Sequence, residues 1–131
     1  MPQNPLRKGT LLIPSGGTDH LFFICNDPIF YPNLAKECFL AVNISTIKQG
    51  IEHDTTCQLN VGDHPFVRHP SFVFYKKAEI WGAVTVSQEI AMGNIRPHVP
   101  CEDPVFTRVL EGFGISPHVL PRIRAFYQKY C

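Results

Sequence analysis

The chain has 131 residues, of which 44% are hydrophobic and 18% charged, and this composition suits one domain, residues 1–131, with its own core. The formal net charge of +1 excludes a protein that holds nucleic acid through its overall charge, so an RNA site would need a local cluster of cations. The five cysteines form no C-x-x-C pair and no apolar run approaches the ~18 residues of a membrane span, so we expect a cytoplasmic protein with free thiols.

Two apolar runs near the start of the sequence predict a β-hairpin. Gly9 precedes the first run, residues 10–13, and the second run covers residues 20–25. Between them lies the turn-forming segment Ser-Gly-Gly-Thr-Asp at residues 15–19, in which glycine adopts positive φ at little cost. We therefore expect a hairpin with a long loop.

Three further strands are predicted in the middle of the chain. Residues 31–36 are typical of a loop, and residues 37–46 predict a long strand that is apolar throughout its middle, so both of its faces should be covered. A weaker strand spans residues 55–59. An aromatic and β-branched strand begins at residue 71 and continues to residue 80. Short strands at this spacing favour a barrel or a sandwich.

The last third of the sequence has a different character. Residues 84–92 suit either a helix or a strand. Asp103 and Pro104 mark a clear helix start, because an N-capping side chain is followed by proline in the first turn. Gly112 and Gly114 are expected to end that helix.

A second C-terminal helix should begin either at Ser116-Pro117, which repeats the start signal, or near Pro121. Apolar residues between positions 119 and 130 line one of its faces. Five strands followed by two helices predict an α+β fold.

Residues 8–81 contain short segments in a distinctive order. A glycine-led strand is followed by an apolar strand ending near Asn26, a strand ending in Ser45-Thr46, and a Leu, Gly and Ser segment that leads into the aromatic strand. This order resembles the MazF/PemK family of toxin ribonucleases, whose fold is an SH3-like barrel with helices. The resemblance implies a small SH3-like antiparallel β-barrel at about residues 8–81, followed by two C-terminal helices within about residues 103–130.

The same resemblance implies a function. The chain would be the toxin of a toxin–antitoxin system, a metal-independent endoribonuclease that cleaves single-stranded RNA and needs no cofactor. Its partners would be the RNA, a cognate antitoxin protein and a second copy in a homodimer, and the low charged fraction agrees with a covered face. One family feature is missing, because the loop before the second strand has no arginine. Either His20 substitutes, or Arg68 reaches the site from another loop, or catalysis is altered or lost.

The densest polar segment, residues 62–71, contains the candidate catalytic residues: Arg68, His64, His69 and Ser71. Histidine suits the general base and acid of RNA cleavage because its pKa lies near neutrality. Arginine suits the charge of the phosphorane through bidentate contact, and we expect Arg68 to matter most. The alternative is that the two histidines only fix the loop by bonding backbone carbonyls.

Further candidates for RNA binding are His20, the strand-end hydroxyls of Ser45 and Thr46, and Lys76 and Lys77. The two lysines would hold phosphates or, alternatively, protect a strand edge. Cations on the C-terminal helices form either a solvated face or a second RNA or antitoxin surface.

Two other functions stay open. A metal site would draw on soft ligands, but no standard zinc spacing recurs among the candidates His53, Cys57, His64, His69 and Cys101, so no metal is predicted. The missing loop arginine and the near-neutral charge leave a non-catalytic protein- or nucleic-acid-interaction module on the same barrel as the alternative to an enzyme.

Overall fold

The computed structural model describes residues 5–131, and within them the fold is α+β, an antiparallel eight-stranded sheet with three α-helices. In chain order the elements are β1 (Thr10–Ser15), β2 (Thr18–Ile24), β3 (Ile29–Tyr31), β4 (Lys36–Thr46), β5 (Gln58–Leu59), β6 (Ser71–Val73), a 3₁₀ turn (Tyr75–Lys77), β7 (Glu79–Gly82), α1 (Ala83–Ala91), β8 (Arg96–His98), α2 (Asp103–Ile115) and α3 (Pro121–Tyr130). None of the helices in this part of the chain is long and apolar enough to cross a membrane.

The long strand β4 organises the sheet. It pairs with β3, β2, β7 and β6, and the hydrogen-bonded order runs β5-β6-β4-β2-β1-β8. The order ends at β5 on one side and at β8 on the other, and no pairing joins these two strands among residues 5–131. The α+β class is therefore confirmed, whereas closure into an SH3-like barrel stays a prediction.

Both faces of β4 are buried, as its continuous apolar run predicted. Leu40 and Val42 belong to the main core, which α2 and α3 cover. Phe39 and Ala41 point to the other face and pack in a second cluster with residues of α1. Each fully buried side chain of this size contributes roughly 1.5–3 kcal/mol through removal from water, so the strand joins two separate cores.

The hairpin of β1 and β2 turns through two residues, so the predicted long loop is wrong. Ser15 pairs with Thr18, and Gly16 and Gly17 have φ of 61° and 81°. Two successive residues with positive φ match the twist of the flanking strands, and glycine is the residue that adopts this geometry most easily. The strands consequently continue through polar residues as far as the turn.

The predicted strand 71–80 is interrupted, which is a second correction. β6 ends at Val73 and β7 starts at Glu79, with a 3₁₀ turn at Tyr75–Lys77 between them. The break lets the fully buried Tyr75 enter the core, where its hydroxyl donates a 2.7 Å hydrogen bond to the Val109 carbonyl of α2. A partner 34 residues away thus overrides the local strand preference.

The helices agree with the prediction in position but not in every boundary. α2 contains Pro104 in its first turn, but Asp103 is the first residue of the helix and Glu102 takes the N-cap position predicted for it. The helix also continues through both Gly112 and Gly114, which we expected to end it. α3 begins at Pro121, one of the two predicted starts. The other, Ser116, is the C-cap residue of α2, and its hydroxyl donates to Asp54 and accepts from the backbone N–H of His118.

The remaining segments are α1, the short strands and the connection between β3 and β4. Residues 84–92, for which the sequence allowed either a helix or a strand, are helical: all but the last of them lie in α1. The weak strand predicted at 55–59 is reduced to Gln58–Leu59. β3 and β8 were not predicted, because each has three residues and β8 contains a proline. The predicted loop at 31–36 begins on the last residue of β3 and ends on the first of β4.

Gly112 is expected to be required for the packing of α2 on the sheet. A Cβ at this position would lie 1.8 Å from the hydroxyl oxygen of Tyr75 and 2.2 Å from its ring carbon Cζ. Because the buried ring has no room to retreat, Gly112→Ala should lower the free energy of unfolding by about 2–3 kcal/mol, measured by urea titration with circular dichroism.

Gly114→Ala is the matched control on the same helix. The nearest atom to its added Cβ is Tyr127 Cε2 at 3.9 Å, so this variant should be neutral or gain up to about 1 kcal/mol from helix propensity. Equal effects of the two substitutions would contradict the packing role of Gly112.

Candidate functional site

One cleft of about 660 Å³ lies where the tip of the β1–β2 hairpin, the end of β4, the loop 65–71 and β8 meet. Most of the predicted site residues line it: His20, Ser45, Thr46, Arg68, His69 and Ser71. These residues come from segments that are far apart in the sequence, from β2 to the start of β6. Asp19, Lys48 and His98 also line the cleft, and none of these three was predicted.

The alternation of the strands explains how the polar side chains of Ser45 and His20 reach the cleft. Phe39 and Ala41 of β4 are covered by α1, and Ser45 shares their face because side chains alternate along a strand. On β2, Ile24 belongs to the same covered cluster, so His20 likewise shares its face. α1 covers only the apolar part of this face, and the rest is open to solvent at the cleft.

His64 does not lie among the residues that line the cleft. It is 2% exposed, its Nε2 lies 2.7 Å from the carbonyl oxygen of Val99, and its Nδ1 accepts a 3.1 Å bond from the backbone N–H of Phe66. The imidazole is therefore the neutral tautomer that carries its proton on Nε2, and both of its nitrogens are hydrogen-bonded. Burial, and then the nearby His98, lower the pKa of His64, whereas the bond to Val99 raises it.

These hydrogen bonds favour the second role considered for His64, in which the ring fixes the conformation of the loop. Its bond to Val99 joins the loop 65–71 to the segment that follows β8, across 35 positions of sequence. His64 therefore holds the loop that carries cleft residues, and we leave it out of the reacting groups.

His98 is the imidazole that the sequence interpretation missed. It lies at the end of β8, half-buried, with its ring centroid 5.3 Å from that of His64. Its Nδ1 accepts a 2.6 Å hydrogen bond from the backbone N–H of Val99, so the neutral ring carries its proton on Nε2. The only available signal was a histidine between two prolines, Pro97 and Pro100, which stiffen the segment.

The two arginines near the cleft differ in their pairing. The guanidinium of Arg96 on β8 forms an ion pair of 2.5 Å with Asp19, a residue of β2. Arg68 is exposed, and within residues 5–131 its guanidinium makes neither a hydrogen bond nor an ion pair. Arg68 and the exposed Lys48 are therefore free to meet an anion in the cleft.

The hydroxyl groups also differ. Ser71 is buried, and its hydroxyl donates a 2.9 Å hydrogen bond to the backbone carbonyl of His69. This bond holds the backbone at His69, and it engages the Ser71 hydroxyl at the wall of the cleft. Ser45 and Thr46 make no side-chain hydrogen bond to the described part of the chain, and both line the cleft.

The two predicted RNA-binding lysines lie outside the cleft. Both are exposed on the 3₁₀ turn, and the Nζ of Lys77 sits 4.8 Å from the ring centroid of Phe74. Lys77 lines a second groove next to the cleft, whereas Lys76 does not.

Among residues 5–131 no group of three or more His, Cys, Asp or Glu side chains is arranged to hold a metal ion. The candidate ligands are dispersed: His53 pairs with Gln58 at 2.8 Å, Cys57 and Cys101 are buried, and His64 is engaged as described. Comparisons with protein-family models, with curated proteins and with solved structures yield no match.

The buried hydrogen bonds of His64 should make stability depend on pH. Because the folded protein disfavours protonation of this ring, its contribution is complete above the unfolded pKa of 6.5 and decreases as the pH falls below that value. We expect His64→Gln to lower the free energy of unfolding by about 1–3 kcal/mol at neutral pH.

The difference between wild type and His64→Gln should shrink when urea titrations are repeated at pH 5.5, because only the wild type then has to hold this ring neutral. The other histidines are common to both proteins and cancel in the comparison. A difference that stays constant or grows toward low pH would rule out this assignment.

Proposed function

We propose that this protein is a metal-independent endoribonuclease that cleaves single-stranded RNA, and that it acts as the toxin of a toxin–antitoxin pair of the MazF/PemK type. One observation carries the proposal: Arg68, His69, His20, His98 and Ser45 all line the same cleft. Imidazoles beside an unpaired guanidinium are the groups that phosphodiester cleavage without metal requires.

The chemistry assigns a role to each kind of group. One imidazole removes the proton from a ribose 2′-hydroxyl, and the 2′-oxygen attacks the adjacent phosphorus. As that bond forms, the bond from phosphorus to the 5′-oxygen breaks, and a second imidazole protonates the leaving oxygen. His69 supplies one of these groups, and His20 or His98 supplies the other.

Arg68 stabilises the negative charge that grows on the phosphoryl oxygens. Its planar fork makes two parallel contacts to phosphate, and Ser45 and Thr46 offer hydroxyl donors in the same cleft. In this proposal Arg68 takes the place of the arginine that the loop before β2 lacks.

Partners follow from the same proposal. A cognate antitoxin would silence the enzyme by covering the cleft, and two copies of the chain would form a homodimer with two-fold symmetry. The exposed side chains of Phe30 in β3 and of Leu34 in the loop that follows it agree with a surface that a partner covers. Light scattering should give about twice the chain mass of 14.8 kDa, and a monomer at high concentration would contradict the dimer.

Arg68→Ala should reduce the cleavage rate about 10²–10³-fold, by analogy with the loss of an oxyanion donor. Arg68→Lys should recover part of the rate, because an ammonium group keeps the charge but lacks the planar fork. The measurement is single-turnover cleavage of a fluorescent single-stranded RNA at saturating protein, with and without EDTA.

The matched control is Arg7→Ala, which removes an exposed arginine that stacks on Phe106 outside the cleft. This variant should cleave as fast as the wild type, and EDTA should leave all rates unchanged. Cleavage by Arg68→Ala at the wild-type rate would exclude Arg68 from the reaction. Intact RNA at micromolar wild-type protein would favour the non-catalytic module.

The rate should depend on pH as a bell-shaped curve between about pH 5 and 8, because one imidazole must be neutral and the other protonated. Replacing His69 with alanine should abolish one limb of that curve along with most of the rate. A flat profile across this range would show that carboxyl or hydroxyl groups act in place of the histidines.

A further inference from the structure

A second groove of about 530 Å³ lies beside the cleft, and the two share Ser15 and His20 as lining residues. Its other walls combine two aromatic rings, Phe22 and Trp81, with the amide of Asn43 and the cations Lys77 and Arg122. None of these groups takes part in the reaction described above.

The groove and the part of the cleft formed by Ser45 and His20 lie on one face of the sheet. Asn43 stands between the covered Ala41 and the cleft residue Ser45 on the same face of β4. Asn43 and Ser45 are two residues apart, which is about 7 Å along a strand. On β2 the pattern repeats, with Phe22 in the groove and His20 in both depressions.

The aromatic rings of Phe22 and Trp81 are held in place by their neighbours. The centroids of Phe22 and Trp81 are 4.8 Å apart, and Trp81 also meets the buried Phe39 edge to face at 6.1 Å. The indole N–H of Trp81 donates a 2.8 Å hydrogen bond to Glu79. This bond fixes the ring, and it engages the one carboxylate that lines the groove. Both rings are partly exposed, so a flat ligand would find a rigid apolar wall.

The cations of the groove lie beside this wall. Lys77 is exposed on the 3₁₀ turn and Arg122 is exposed in the first turn of α3. In the part of the chain that the structure describes, neither forms an ion pair. An aromatic wall with an amide and unpaired cations matches a nucleotide, whose base stacks and whose phosphate is anionic.

We propose that this groove is a subsite for single-stranded RNA, which holds a base next to the segment bound in the cleft. The base stacks on Phe22 and Trp81, the Asn43 amide meets its edge, and Lys77 and Arg122 contact the phosphates. The inference rests on the proposed RNA chemistry of the cleft and extends the binding path beyond it.

Trp81 gives the subsite a direct readout because it is the one tryptophan of the sequence. The probe is a six-nucleotide RNA with 2′-O-methyl groups, which cannot be cleaved because the attacking hydroxyl is blocked. Binding should quench the emission of Trp81, and fluorescence anisotropy of a labelled copy should give the same Kd. An abasic oligomer with the same phosphates should bind more weakly and leave the emission unchanged.

Substitutions at Phe22 separate stacking from folding. Phe22→Leu keeps an apolar side chain but removes the π face, and it should weaken binding of the hexanucleotide about tenfold. Phe22→Tyr keeps the ring and should bind as the wild type does. Thermal unfolding of both variants verifies that the sheet is intact.

Lys77 has a matched control in its neighbour Lys76, which is exposed but does not line the groove. Lys77→Gln should weaken binding and lower the slope of log Kd against log salt by about one, whereas Lys76→Gln should change neither. On a long cleavable RNA, Lys77→Gln should raise KM and leave kcat unchanged.

The outcomes separate this inference from the proposed function. Quenching by the hexanucleotide and the expected Phe22 series, without any RNA cleavage, would support the subsite and refute the enzyme. If the protein cleaves and binds RNA, any one of three results would overturn the subsite and leave the enzyme. These are unchanged Trp81 emission, equal affinity for the abasic oligomer, and equal effects of the Lys76 and Lys77 substitutions. Absence of any RNA binding would overturn both.

Discussion

The central constraint of this structure is that β4 must be covered on both faces and paired along both edges. An eleven-residue strand that is apolar throughout its middle cannot stand at a surface. One face requires α2 and α3, the other requires α1, and the edges require β2, β3, β6 and β7. Tyr75 completes one of these layers by leaving the sheet to reach Val109.

The cleft exists because this coverage is incomplete. β4 is longer than α1 can cover, and its sequence becomes polar at Asn43 and Ser45 where the helix no longer protects it. The hairpin of β1 and β2 ends beside this uncovered part, and the loop after His64 closes its other side. Polar residues on an uncovered strand face avoid the cost of exposing apolar surface there, and they provide the floor of the cleft.

Local charge, not overall charge, gives the cleft its chemistry. With a net charge of +1 the chain has no long-range field, so an anion is attracted only where unpaired cations converge. The ion pair of Arg96 with Asp19 neutralises one side of the cleft, while Arg68 and Lys48 keep their charges available. The buried His64 supports this arrangement by holding the loop that carries Arg68 to the segment after His98.

The sequence by itself determined features whose causes are local. Apolar runs located β1, β2 and β4, proline and an acidic residue located the start of α2, and the polar segment around Arg68 identified one wall of the cleft. These predictions depend on strand periodicity and on the fixed φ of proline, which neighbouring residues set.

Only the tertiary structure decided the features that depend on distant partners. It separated His64, which bonds a carbonyl 35 positions away, from His98, which the sequence did not distinguish. It brought the ring of Tyr75 against Gly112 within α2, where no space is left for a larger residue. It also joined strands as short as β3 and β8 to their neighbours. Three residues carry too little pattern to predict a strand, and a hydrogen-bond partner far along the chain leaves no mark on the residues around it.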